Sequence, residues 1–237
     1  MRKHMLLGGA LALVAMAAAP AAQAAPCQTV NTSRGTFTAQ LVDQNVPAGS
    51  NIDATGCDIA VYYSPNSGSW TVTDSDVHGS LWFGVYNDGA NVSISGSDVH
   101  DIGDDPKNGV QRGLAVLFNN RNGVLSSGGV DDSNVFDYQK NGITAIGNTT
   151  IDITDSTVTG LGKIEFIAQN GIQISDGATP GDVSGNTVTG NHYSGPSKPT
   201  IATGILLFQA NIDGRDVGRI SSSNDVNHNQ ANISYIK

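Results

Sequence analysis

The sequence predicts an all-β solenoid, one strand ladder coiling on itself, and three observations carry that prediction. Short runs alternate between apolar and polar residues, as in IDIT at 151–154 and GIQIS at 171–175. That period of two belongs to a half-buried strand. The composition suits strands and turns: 29 of 237 residues are Gly and only 14% are charged. Beyond the N-terminus, no run of ten or more residues shows a convincing helical stripe with caps. Finally, one two-part unit recurs along the chain, and repetition at roughly 20 to 40 residues marks stacked supersecondary units.

The first element is residues 1–25. Arg2, Lys3 and His4 precede an apolar Leu/Ala/Val run that ends in Ala22-Gln23-Ala24. This is the pattern of a secretory signal with an A-x-A cleavage site, and it predicts a secreted, extracellular protein. A membrane anchor is the weaker reading, because the run is short and no charged stop follows. Nothing later is long and apolar enough to span a bilayer. Cleavage would take two of the 12 cations and none of the 21 acidic residues, moving the net charge from −9 to −11. Such a surface argues against nucleic acid, an anionic membrane or any highly anionic polymer as partner over the whole surface, though not against a local basic pocket.

Residues 26–56 form an N-terminal cap segment, and 57–237 the repeat domain. The chain holds two cysteines, Cys27 and Cys57. An even count in a secreted chain favours a disulfide, here pinning the first strand onto the first turn of the fold.

The repeats align on two landmarks. One is a small-polar-Val triplet, ending at Val77, Val99, Val135, Val158, Val188 and Val226. The other is Gly before an aliphatic residue: Gly84-Val85, Gly113-Leu114, Gly142-Ile143, Gly171-Ile172 and Gly204-Ile205, with a weaker Asn232-Ile233. The short copies, Val77 to Val99 and Val135 to Val158, leave room for three short strands and three turns. A unit of that size cannot bury its own side chains, but stacked copies can. The Val rows then face inward. The row Ser75, Ser97, Ser133, Ser156, Asn186 and Asn224 turns inward beside a corner and hydrogen-bonds from coil to coil. The prediction is a single-stranded right-handed parallel β-helix of about six to seven coils. An antiparallel sandwich would need Asn-Gly or Asp-Gly hairpins between strand pairs, whereas these glycines hold fixed places in a repeat.

Over roughly residues 50–236, the repeat IDITDSTVTG…AQNGIQIS…GDVSGNTVTGN resembles the right-handed parallel β-helix repeat family, which includes pectate-lyase-like enzymes. The resemblance implies that fold, in a secreted bacterial member. It does not imply one reaction, because function lives in sites grafted on a scaffold.

From triplet Val to Gly-aliphatic residue the spacing runs 8, 15, 8, 14, 17 and 7 residues. All the insertions enter at one corner, and in a solenoid that corner is usually the binding face. Three loops are expected, 100–112, 159–170 and 189–203, with the short third coil as the floor of a cleft between the first two. Candidate catalytic residues there are Lys140, Arg112, Glu165 and Asp101. Candidate substrate-binding residues are Gln111, Tyr138, Gln169, His192 and Tyr193. Gln111, Lys140 and Gln169 each stand two residues before a landmark Gly and are expected to stack as a polar row.

The expected partner is an extracellular polysaccharide. Eliminating a glycosidic bond in a uronate chain needs the carboxylate neutralised and a base for the neighbouring proton. Lys140 or Arg112 is the base in that case, and Asp101, Asp104 or Asp105 would hold Ca²⁺ through oxygen. No cofactor is otherwise indicated. Hydrolysis instead needs two carboxyl groups across the bond, Glu165 with Asp101 or Asp137. Tyr138, Tyr193 and Phe166 are placed to stack on sugar rings. Each candidate also reads as an ordinary loop charge or packing residue. A non-catalytic β-helix that binds glycans or builds a cell surface is the alternative. The chain has no nucleophile elbow, H-E-x-x-H, P-loop or dinucleotide fingerprint.

Overall fold

The computed structural model describes residues 26–237 apart from 121–122 and 197–199. The expected signal segment and Lys198, a candidate loop cation, lie outside the described residues. The chain is a parallel β-helix with three faces, built of a nine-stranded, a five-stranded and a seven-stranded sheet. Each coil visits them in fixed order. Ile59–Tyr63, Ser69–Thr73 and Asp76–His78 make one turn, and Phe83–Asn87, Asn91–Ser95 and Asp98–His100 lie parallel to them in the next.

The register follows from the side chains. In-register parallel pairing puts equivalent residues in vertical columns, and a slip of one residue would turn every Val outward. Val77, Val99, Val135, Val158 and Val188 pair in succession, and all are fully buried. The corner before them carries the expected polar ladder. The amides of Ser75, Ser97 and Ser133 donate to the hydroxyls of Ser97, Ser133 and Ser156, each at 3.2 Å. The amides of Ser156 and Asn186 continue to Asn186 Oδ1 and Asn224 Oδ1, each at 3.0 Å. Each bond satisfies a buried amide that no strand partner reaches.

The glycine column needs one correction. Leu114 pairs with Phe83 and Asn141, and Val116 pairs with Val85 and Ile143. The interior residue of the second copy is therefore Val116, two positions beyond the expected Leu114. The column glycines exist for close approach: a Cβ on Gly84 would stand 2.4 Å from the Ala115 carbonyl oxygen, and one on Gly142 2.5 Å from that of Gly171. Gly113 has a different task, a turn at φ 82° ahead of the strand.

The N-terminal end is covered by a hairpin, and one face of the C-terminal end by a helix. Gln28–Thr32 pairs antiparallel with Gly35–Val42, which then starts the long sheet parallel to Ile59–Tyr63. Val30 and Phe37 pack on Ile59, Tyr62, Phe83 and Tyr86 in a cluster separate from the main core. The disulfide Cys27–Cys57 ties this hairpin down. At the other end stands a helix that the sequence reading did not anticipate, Gly214–Ser222, started by a capping box between Asp213 and Asp216. It follows the last strand of the five-stranded sheet, Thr179–Ser184, and buries Ile220 in the main core. Arg219 Nη2 donates to the Gly181 carbonyl at 3.0 Å, and Asn224 Nδ2 to that of Val183 at 2.9 Å. Among the described residues, no helix is long and apolar enough to cross a membrane.

Candidate functional site

The insertions do enter at one corner, between the seven-stranded and the long sheet, but only the first remains a loop. The second and third begin as strand. Thr157–Ile164 and Thr187–Tyr193 run on past the corner and pair as a ribbon, Lys163 opposite His192 and Ile164 opposite Tyr193. The first loop folds down over the third coil. The buried Gln139 side chain accepts the Asp104 amide at 2.9 Å and donates to the Val110 carbonyl at 2.8 Å. A Cβ on Gly103 would stand 2.5 Å from Gln139 Cβ, and one on Gly109 2.9 Å from the Phe166 carbonyl oxygen. The expected cleft floor is therefore filled by the loop itself. The opening lies on the loop's other side, a cavity of about 580 Å³ lined by Thr55, His78, Asp101, Asp105, Lys107 and Asp137 among others.

The local fold explains why two carboxyl groups meet there. Asp101 and Asp137 each follow the Val column by two residues and turn the corner with φ 53° and 47°. Asp tolerates that left-handed conformation better than most residues. The next residues, Ile102 and Tyr138, form a parallel bridge, so the two Asp stand on adjacent coils in register. Their carboxyl groups are near enough for each to shift the other. Burial, and then the neighbouring Asp101, raises the Asp137 carboxyl above its ordinary value, against the pull of Lys107. The neighbouring Asp137, and then the bond with His100, holds the Asp101 carboxyl below it. The two corner carboxyls are thus pushed in opposite directions by their surroundings.

Other groups complete the site. Lys107 Nζ is 3.1 Å from Asp137. His100 Nδ1 lies 2.8 Å from Asp101, and its Nε2 2.8 Å from Asp76. The rings of His78, His100 and Phe136 stack with centroids 5.2 and 4.6 Å apart and planes within 9°. Because the stack runs from coil to coil, it presents ring edges to solvent, not a face on which a sugar could lie.

Of the expected catalytic and substrate-binding residues only Asp101 lines the cavity, together with Asp104, Asp105 and Asp137 from the expected metal ligands and carboxyl pair. Arg112 clamps Asp104 through two hydrogen bonds, Nε to Oδ2 at 3.0 Å and Nη2 to Oδ1, and lies 5.6 Å over Trp82. The carboxylate raises the guanidinium further and is itself lowered. Lys140 Nζ points under the second insertion to the Ala168 carbonyl at 2.7 Å, and burial lowers its ammonium. The polar row is corrected: the Lys140 amide pairs with Gly113, not Gln111, which is exposed on the loop. Tyr138 and Gln169 are also corrected as substrate contacts, since both are fully buried. The Tyr138 hydroxyl donates to Asn191 Oδ1 at 2.7 Å inside the coil. Tyr193 is buried with Ala168 and Ala202, His192 is half-buried on the ribbon, and Glu165 is exposed at its turn. The carboxyl facing Asp101 is thus Asp137, not Glu165. Asp104 is taken up by Arg112, and among the described residues no group of three or more His, Cys, Asp or Glu is placed to hold a metal ion.

Lys107 belongs to the first expected loop but not to the candidate catalytic or substrate-binding residues, and His78 is expected only as a stacking neighbour of His100. The signal for His78 was present, since Val77-His78, Val99-His100 and Val135-Phe136 occupy one column one step after the aligned Val. Compared with protein-family models, with curated proteins and with solved structures, the chain finds no match in any of the three.

Proposed function

We propose that this protein is a secreted, pectate-lyase-like β-helix that hydrolyses extracellular polysaccharide, with Asp137 as general acid and Asp101 as general base. The single observation that carries this is the carboxyl pair in the cavity, Asp101 and Asp137 on adjacent coils, whose surroundings push them in opposite directions. Two titratable groups pushed apart in one site are the usual arrangement for acid and base roles. In the reaction Asp137 gives its proton to the glycosidic oxygen as the bond to the anomeric carbon breaks. Asp101 takes a proton from the water that attacks that carbon. The disulfide and the pattern of residues 1–25 support an extracellular setting. Elimination has less support, since Arg112 is held by Asp104 and Lys140 lies under the second insertion.

One observation favours a second reading, a glycan-binding protein without catalysis. The two carboxyl groups are close enough to interact directly, whereas glycosidase pairs stand about 5–5.5 or about 6.5–9.5 Å apart. Under the catalytic reading the sugar enters between them and replaces their mutual contact. The test is incubation with neutral and uronate-rich polysaccharides, with and without Ca²⁺, followed by assay of reducing and of unsaturated ends. The expected result is new reducing ends without unsaturation, falling on the order of 100-fold or more in Asp137→Asn. Glycan retained but never shortened would establish the binding reading, and unsaturated ends would establish elimination.

A further inference from the structure

We infer that His100 is a positioning residue for this site: stacked between two coils and fixed between Asp76 and Asp101, it holds the Asp101 carboxylate in place and sets how readily that carboxyl takes up a proton. The inference rests on reading Asp101 and Asp137 as the working pair. It starts from the ring's constraints. His78 stacks on one face and Phe136 on the other, nearly parallel to it, so the ring plane is set by two neighbouring coils. Within that plane, both nitrogens meet carboxylate oxygens at 2.8 Å, Asp76 from the coil below and Asp101 from the same turn. The ring can neither tilt nor spin without losing a contact. His100 is about one-fifth exposed and Asp101 about one-half, so the histidine sits behind the carboxylate that faces the cavity.

The consequence falls on Asp101. Its carboxylate meets His100 Nδ1 on one side and the Asp137 carboxyl on the other. Bonds to an ionised acceptor are stronger than bonds to a neutral one and favour the charged form. Asp137 has no equivalent imidazole, because the stack places Phe136 before it. Two corner aspartates of the same conformation thus differ in one neighbour, the ring beside Asp101, in addition to the burial that raises Asp137. The charged and titratable groups around His100 are Asp76 and His78 below, with Asp53 4.0 Å beyond His78. On its own turn stand Asp98 and Asp101, and above it Asp137 with Lys107. With a proton on each nitrogen the ring serves both Asp76 and Asp101. With one proton it leaves a carboxylate facing a lone pair.

The experiment follows the side-chain carboxyl carbons of Asp101 and Asp137 by NMR across pH in the full folded chain, for the unsubstituted protein, His100→Gln and Asp76→Asn. In the unsubstituted protein Asp101 titrates below the ordinary carboxylate range and Asp137 above it. In His100→Gln the Asp101 midpoint moves up toward that of Asp137, and in Asp76→Asn it moves the same way by less. Asp76→Asn keeps the ring and its stack, so it decides the matter if His100→Gln fails to fold. Unchanged midpoints in a folded variant would overturn the inference. In the reducing-end assay, the acid limb of the pH profile moves up in the same variants. Titrations that move as expected without cleavage of any polysaccharide would leave His100 as the positioning residue and remove the catalytic reading alone.

Discussion

At Asp101 and Asp137 the same backbone position acquires opposite acid behaviour, and stability should record it. Asp101 is lowered in the fold by its neighbours Asp137 and His100. Its contribution is present above the unfolded value of about 3.9 and is lost as pH falls through the folded value. Asp137 is raised, chiefly by burial, so its contribution is present below that value and lost as pH rises through the folded one. Asp101→Asn should therefore destabilise at pH 7 and little at pH 3. Asp137→Asn should gain stability relative to the unsubstituted protein between pH 3 and pH 7. Denaturant midpoints at the two pH values check both. The residues of the pair were legible in the chain as acids of one corner, but their pairing was not. Glu165 was an equal candidate, because the spacing shows how much chain enters a corner and not where its side chains end. Tyr138 shows the same limit: it follows Asp137 by one residue and points into the coil, where its hydroxyl is bound by Asn191.

Among the elements, the ladder and the helix carry separate predictions. Ser133 Oγ donates to the Asp131 carbonyl at 2.7 Å and accepts the Ser97 amide at 3.2 Å. Ser133→Ala leaves the buried Ser97 amide without its partner, while the Asp131 carbonyl keeps the Gly96 amide, and about 1–3 kcal/mol should be lost in chemical denaturation. Asp213 accepts from the amides of Arg215 at 2.7 Å and Asp216 at 3.1 Å. Removing that cap in Asp213→Ala should cost about 1 kcal/mol by the same measurement. The ladder could be read from the sequence because its Ser and Asn recur at a fixed distance from Val. The helix could not. It has nine residues, one of them buried, and it replaces a strand once instead of repeating. The second and third insertions were visible as extra length, but their pairing into a ribbon depends on contacts between coils that no local pattern announces.

For the molecule as a whole, the stacking of the coils decides everything else. The nearest strand partner of each residue lies roughly one coil away in sequence, so the fold was legible from periodicity while the site needed true register. The one misplaced landmark, Gly113, shows how little separates the two: a turn glycine two residues early moved a whole row and put Gln111 above Lys140. The stacking places Asp137 over Asp101 only if Val135 lies between Val99 and Val158 in the interior column. Methyl–methyl NOEs in selectively labelled protein measure this directly. The account predicts cross-peaks linking Val77 to Val99, Val99 to Val135, Val135 to Val158 and Val158 to Val188. Cross-peaks that skip Val135, or that join it to residues of another face, would contradict the register and with it the carboxyl pair.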